Sequence, residues 1–308
     1  MAITTLGDHL RVCRERLRPQ DVGLPGGTRR RVPGLRREEV ALLAGISVEY
    51  YLRLEQGRDR HPSDQVLGAL ARALQLDQDA ERYLHDLARP APAARRRRTP
   101  RPERVGAGVR SLIDSWPATP ALVQDLSMTT VAANAVAVAL SPYFSPGVNT
   151  LRAAFLEPEM RELYEDWDAM TAKAVAYLRS MTGPEADDPR LVEVVGELSL
   201  RSERFRTLWA KQIVRLQTSG TSRFRHPQVG PLELHYEKLA LPNTQGQILV
   251  TYHARAGSES YERLELLAHL ARGNRPGPDS GRDEDRHGRR NGEADRGPDA
   301  EGARGRRP

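Results

Sequence analysis

The stretch that most constrains this 308-residue chain is LRREEVALLAGISVEYYLRLEQGR, Leu35 to Arg58. Its apolar residues recur at helical spacing in two short blocks, which predicts two helices meeting at a tight corner. Val40, Leu43 and Ala44 fall on one side of the first block. Gly45 stands where a side chain would be strained by positive φ, and Ile46 tucks the corner inward. Ser47 offers a side-chain oxygen to the free amides of a second helix. Tyr51 and Leu54 continue the inward stripe, whereas Ser47, Glu49, Tyr50 and Arg53 point elsewhere and Gly57 closes the helix.

Two helices joined in this way form a helix-turn-helix, whose second helix lays its N-terminal residues in the DNA major groove. Here that reading helix is Ser47 to Gln56. Glu49, Tyr50 and Arg53 are placed to reach base edges or phosphates, and Val48 to meet a thymine methyl group. Three further helices complete a five-helix, all-α domain over residues 1–90. Leu6 to Leu17 carries Leu6, Leu10, Cys13 and Leu17 on one face. Ser63 starts a helix with Val66, Leu67, Leu70 and Leu74 inward, and Asp79 to Ala88 turns Tyr83, Leu84 and Leu87 inward. The Pro- and Gly-rich connection ahead of Leu35 holds Arg29, Arg30 and Arg31, either an arm touching phosphates or a solvated basic loop. Charge follows this division. Residues 1–100 hold 19 Arg against 13 Asp plus Glu, which equals the +6 of the whole chain and leaves the remainder neutral. Basic charge thus concentrates where phosphate neutralisation would drive affinity.

Residues 91–108 read as a Pro- and Arg-rich linker, in which Arg95 to Arg98 either contact phosphate or are simply solvated. From 109 to 256 the pattern is α+β. Strands are expected over Ala121–Leu126 and Thr129–Ala132, then helices up to Gln212. An antiparallel meander follows over Val214–Thr221, Leu232–Leu241 and Gln247–His253. An amphipathic helix occupies residues 257–272, with Tyr261, Leu264, Leu267 and Leu270 on one face. Residues 273–308 have almost nothing to bury and are expected to be disordered.

These blocks carry a family resemblance. GLRREEVALLAGISVEYYLRLEQGRDRHPS, with LEPEMRELYEDW, ELSLRSERFRTLWA and GTSRFRHPQVGPLELHYEKLALP, resembles Cro/repressor-type (xenobiotic-response-element) helix-turn-helix regulators. More narrowly, it is similar to the actinobacterial group with an MmyB-like ligand-binding domain. The resemblance implies a PAS-like second domain with a cavity for a fatty-acid-like ligand. Phe155, Leu163, Tyr164, Trp167, Leu178, Leu198, Phe205 and Trp209 are the large apolar residues available to line it, or else to form ordinary core. The resemblance also places Arg37 at a DNA-contacting position and Arg14 with Glu55 in a buried ion pair that ties the first helix to the reading helix. Related regulators pair two helix-turn-helix units on double-stranded DNA, so a homodimer joined mainly through residues 109–272 is expected.

Other function classes find little support. The sequence has no G-x-S-x-G, H-E-x-x-H, P-loop or G-x-G-x-x-G, so no enzyme, cofactor or metal site is expected. Cys13 is the single cysteine, which excludes an intramolecular disulfide. The N-terminus carries charges where a signal peptide needs an apolar run, and no apolar stretch reaches membrane-spanning length, so a cytoplasmic protein is expected. Arg223, Arg225 and His226 in RFRHP either hold a ligand carboxylate or are solvated. The expectation is a DNA-binding transcriptional regulator. The alternative is a DNA-bound scaffold whose second domain takes a protein partner and no ligand; a fully packed second core would favour it.

Overall fold

A computed structural model of the chain describes residues 5–25, 34–59, 61–89, 104–181 and 188–273. Arg29, Arg30 and Arg31, the linker arginines Arg95 to Arg98 and the tail beyond Gly273 lie outside these residues.

Five helices form the first domain: α1 (Leu6–Arg16), α2 (Arg37–Ala44), α3 (Val48–Glu55), α4 (Asp64–Ala73) and α5 (Gln78–Ala88). Local chemistry starts each one. Thr5, Ser47, Ser63 and Asp77 cap α1, α3, α4 and α5 by accepting a free backbone N–H, and the Glu39 carboxylate accepts from the Arg36 N–H ahead of α2. Gly45 ends α2 at φ 65°. The inward faces close one core around Leu10, Val40, Tyr51, Leu54, Leu70 and Leu84. Packing is tight at backbone level: a Cβ on Gly7 would stand 2.3 Å from the Glu55 carbonyl oxygen, so α1 crosses the end of α3 only because glycine is there.

The expected stripe of α2 needs one correction. Leu43 stays 37% exposed, while Ala41 is fully buried. Helix α2 packs against both α3 and α4, and the small Ala41 and Ala44 side chains permit that approach, leaving the bulkier Leu43 on the rim.

The second domain is α+β. It runs α6 (Ala107–Asp114), β1 (Ala121–Gln124), β2 (Thr130–Ala133), α7 (Ala135–Leu140), α8 (Thr150–Leu156), α9 (Pro158–Leu163), α10 (Trp167–Met181), α11 (Pro189–Arg201), α12 (Glu203–Ala210), β3 (Ser219–His226), β4 (Gly230–Ala240), β5 (Ile248–His253) and α13 (Glu259–Gly273). The five strands form one antiparallel sheet in the order β2-β1-β5-β4-β3. Strand alternation sorts the side chains. Leu122, Phe224, Leu232, Leu234, Tyr236, Val250 and Tyr252 join α7, α9 and α13 in the main core. Ala121, Val123 and Leu249 point the other way, onto Ile113 of α6. A further helical core gathers Leu151, Val175, Leu178, Leu198 and Phe205 from α8, α10, α11 and α12.

The third-strand expectation, Val214 to Thr221, is also corrected: β3 begins at Ser219 and continues through RFRH to His226. Residues 211–216 are engaged elsewhere. Val214 is buried in the five-helix core, and the Leu216 N–H donates to Asp79 Oδ2 at 2.9 Å. The Arg215 N–H donates to the Ala176 carbonyl at 3.3 Å, and Arg16 donates to the Lys211 carbonyl at 3.3 Å. Nearby, buried Arg179 of α10 lies 3.9 Å over the Trp209 ring and donates to the Trp209 carbonyl. The segment that precedes β3 therefore closes the first domain's core instead of extending the sheet.

Candidate functional site

Two sites emerge, one on each domain. The first is the outward face of α3. Ser47 Oγ accepts the Tyr50 N–H at 3.1 Å, so Ser47 itself serves as the cap. Val48 is 44% exposed, Glu49 and Arg53 are exposed, and Tyr50 is half-buried beside them. Arg53 lies 3.4 Å from the Glu49 carboxylate and 5.5 Å from the Tyr50 ring centroid. Val48, Glu49 and Tyr50 occupy the first turn of the helix and Arg53 follows in its last turn; Glu49 and Arg53 face away from Tyr51 and Leu54, while Tyr50 sits at the edge of the core.

The face is held by Glu55, whose side chain is only 2% exposed. Arg14 donates to both of its oxygens, at 3.1 and 2.9 Å, and a third Arg14 nitrogen donates to the Leu35 carbonyl at 2.9 Å. Arg37 joins from α2, donating through Nε and Nη2 to the same Oε1 at 3.2 and 3.0 Å. Burial works to raise the Glu55 carboxyl pKa, but hydrogen bonds and charge from Arg14 and Arg37 outweigh it and hold the pKa below the ordinary value. The Arg37 side chain, expected on DNA, thus braces the reading helix while staying 49% exposed.

The second site is a cavity of about 320 Å³ between the sheet and helices α8 to α10. Its apolar wall includes Leu122, Phe144, Met160, Tyr164, Val250 and Tyr252, and its polar wall includes Gln124, Thr221, Ser222, Tyr236 and Lys238. Of the eight aromatic and aliphatic residues expected there, only Tyr164 lines it. Leu163 lies in the main core, and Leu178, Leu198 and Phe205 fill the helical core. Phe155 packs between the two cores, Trp167 donates its ring N–H to the Ala154 carbonyl, and Trp209 stacks on Phe205. The open volume is bounded by the rings of Phe144, Tyr164, Tyr236 and Tyr252 together with short residues such as Ala154, Ala169 and Ala174.

Of the RFRHP residues, Arg223 and His226 are already engaged by neighbours. Arg223 sits at the cavity but pairs with Asp166 at 3.6 Å and Glu233 at 3.0 Å. Arg225 is exposed. His226 is buried, donating from Nε2 to the Ala139 carbonyl at 2.9 Å while Nδ1 accepts from the Gln228 N–H. The residue that sequence reasoning missed is Lys238. Its signal was strand parity: it follows Leu232, Leu234 and Tyr236 at period two on β4, so it faces the same side as they do. Burial pulls its pKa down to about 8. Among the described residues no group of three His, Cys, Asp or Glu could hold a metal ion, and no helix is long and apolar enough to cross a membrane.

Comparison with known families gives two matches. A model described as the MmyB-like transcription regulator ligand binding domain matches residues 105–267, and one described as a helix-turn-helix domain matches residues 5–84. No curated protein matches the chain.

Proposed function

Because the chain belongs to the MmyB-like transcription regulators, a family of helix-turn-helix regulators and not of enzymes, we propose how its two sites divide the work. Residues 1–90 bind double-stranded DNA in the Cro/repressor (XRE) manner. Val48, Glu49, Tyr50 and Arg53 meet base edges or phosphates behind the Ser47 cap, with Arg37 at their flank and Arg29, Arg30 and Arg31 on the backbone. The observation that carries this half is the exposed N-terminal face of α3, braced from behind by the buried Arg14–Glu55 pair.

Residues 109–256 take a small, fatty-acid-like effector, and the cavity of about 320 Å³ supports that reading over the ligand-free scaffold. Two chains pair through residues 109–272, because a single reading helix covers too few base pairs to mark a site in a genome. The exposed Tyr261, Leu266 and Leu270 on α13 supply apolar surface for that pairing. The compartment we assign is the cytoplasm, where the DNA is.

Genome-wide mapping of bound DNA, followed by binding assays on the recovered site, tests the proposal. Tyr50→Ala and Glu49→Ala are expected to change sequence preference, whereas replacing Arg29, Arg30 and Arg31 weakens specific and random DNA alike. Equal losses on both DNAs for both sets of variants would mean that a different helix enters the groove.

A further inference from the structure

We infer that helix α10 links the cavity to the DNA-binding domain, and that Arg179 is the positioning residue through which occupancy of one alters the other. This rests on reading the cavity as an effector site and α3 as the reading helix, and it names what connects them.

One helix serves both ends. The first half of α10 lines the cavity through Ala169, Met170, Lys173 and Ala174. Further along, Tyr177 enters the main core, while Val175 and Leu178 enter the helical core. The Ala176 carbonyl accepts the Arg215 N–H at 3.3 Å, which ties α10 to the segment that closes the first domain's core. Lys173 to Arg179 spans roughly 9 Å of helix. Close-packed helices do not deform continuously, so a displacement at the cavity end carries Arg179 with it.

Arg179 stands where an apolar residue would pack with less desolvation. At 1% exposure it is the one charged side chain among the largest fully buried ones of the described residues, in the company of Tyr51, Phe205 and Phe224. Taking a guanidinium out of water is unfavourable unless its donors find partners. Here they find them on both domains. Arg179 donates to the Trp209 carbonyl at 2.6 Å and lies 3.9 Å over the Trp209 ring, within the second domain. It also hydrogen-bonds the buried Tyr83 hydroxyl on α5 of the first domain. A planar fork fixes the angle between its partners, which leucine or methionine cannot do. Packing alone does not call for arginine at this junction; a set geometry between the two domains does.

Beyond Tyr83 the path to the reading helix is stiff. His9 of α1 meets the Tyr83 ring edge-on, at 5.1 Å between centroids, and hydrogen-bonds Gln212 of the second domain. The same α1 holds α3 through the Arg14–Glu55 pair and through the close backbone approach at Gly7. The five helices therefore turn as one body, and a shift of α5 and α1 re-aims α3. Two reading helices must enter major grooves about one helical turn apart, so a small rotation of each changes the fit to DNA.

Fluorescence anisotropy on the full chain decides it, with the operator recovered by genome-wide mapping and decanoate as the cavity probe. Saturating decanoate is expected to change the operator affinity of the wild type by about fivefold or more, and calorimetry should show the operator changing decanoate affinity by the same factor. Tyr83→Phe removes one hydroxyl, and Arg179→Met removes the whole fork. Both should keep decanoate binding and operator binding when each is measured alone, and both should bring the coupling factor below about twofold. Where Arg179→Met does not fold, Tyr83→Phe alone decides. Val195→Ala, which loosens the helical core without reaching the junction, should keep the factor. Decanoate binding with no change in operator affinity, or a factor unchanged in Tyr83→Phe and Arg179→Met, would overturn the Arg179 assignment and leave the effector reading standing. So would a factor lost equally in Val195→Ala, or outright loss of operator or decanoate binding in Tyr83→Phe, since either would make the contact a requirement of the fold alone. No decanoate binding by the wild type would overturn both.

Discussion

The two domains solve the same packing problem in opposite ways. The five-helix domain leaves almost no slack: backbone meets backbone at Gly7, Ala41 and Ala44 admit neighbouring helices, and Glu55 is shared by two arginines. The α+β domain stops short of closing and keeps about 320 Å³ open beside its sheet. A DNA-reading helix must be presented at one fixed angle, so rigidity serves it. An effector site needs volume, so incomplete packing serves it. Residues 211–216 join the two regimes, because the backbone that leads into β3 at the cavity also buries Val214 in the five-helix core.

The sharpest break on the rigid side is Glu55→Ala. It leaves Arg14 buried without its carboxylate and should cost roughly 3–5 kcal/mol, read by chemical denaturation. The sign with pH follows from the lowered carboxyl pKa. The stabilisation is complete above the ordinary glutamate value of 4.5 and is lost as pH falls through the lower folded value.

His9 acts in a separate window. It is 1% exposed on α1, edge-on to Tyr83 and facing Gln212 of the second domain. Burial lowers its pKa from 6.5 to about 4, with Arg179 and Arg16 adding to the effect and Gln212 opposing it. The unfolded chain therefore binds the proton more readily between those values, and stability falls as pH drops from 6.5 towards 4. The loss should approach roughly 3 kcal/mol, and His9→Gln should flatten it in an acid titration followed by circular dichroism.

How much of this could be read from the residues differs between the domains for the same physical reason. Caps, the corner glycine and 3.6-residue spacing are local, so Gly45, Ser47, Tyr51 and Leu54 declared their roles directly. Ala41 was missed because close helix approach is a property of three helices together. A cavity was expected from the family resemblance, but its lining was not legible: of the eight large residues expected there only Tyr164 borders it, the other seven fill volume, and an unfilled volume has no residue of its own. Lys238 was legible in principle through strand parity and the scarcity of lysine. The displaced start of β3 was not, since Val214 belongs to a β-rich run and is claimed by a core more than a hundred residues earlier in the chain.

The join can be tested next. Val214→Ala removes two methyl groups from the five-helix core without touching any of its five helices, and roughly 2 kcal/mol should be lost. Hydrogen exchange is the informative readout. If the domains share the core through this residue, amides of α1 and α5 should exchange faster, together with those at the start of β3. Faster exchange confined to residues 211–216 would mean that the two domains are packed side by side and share no core.

The last test inserts the same bulk into each regime. Ala41 is fully buried between helices, so Ala41→Leu should strain α2 against α3 and α4 at about 1–3 kcal/mol. Ala154 is equally hidden from solvent, at 4% exposure, but it borders the open volume. There the added carbons have somewhere to go, and the gain in burial offsets much of the adjustment, so Ala154→Leu should stay within about 0.5 kcal/mol of the parent. Denaturant midpoints of the two variants, measured side by side, give the comparison directly. The same Ala154→Leu protein should bind decanoate more weakly, because its side chain occupies space the tail would take. Equal destabilisation by both substitutions would show that the second domain is as tightly packed as the first, and the division of labour between a rigid reader and a yielding sensor would fall with it.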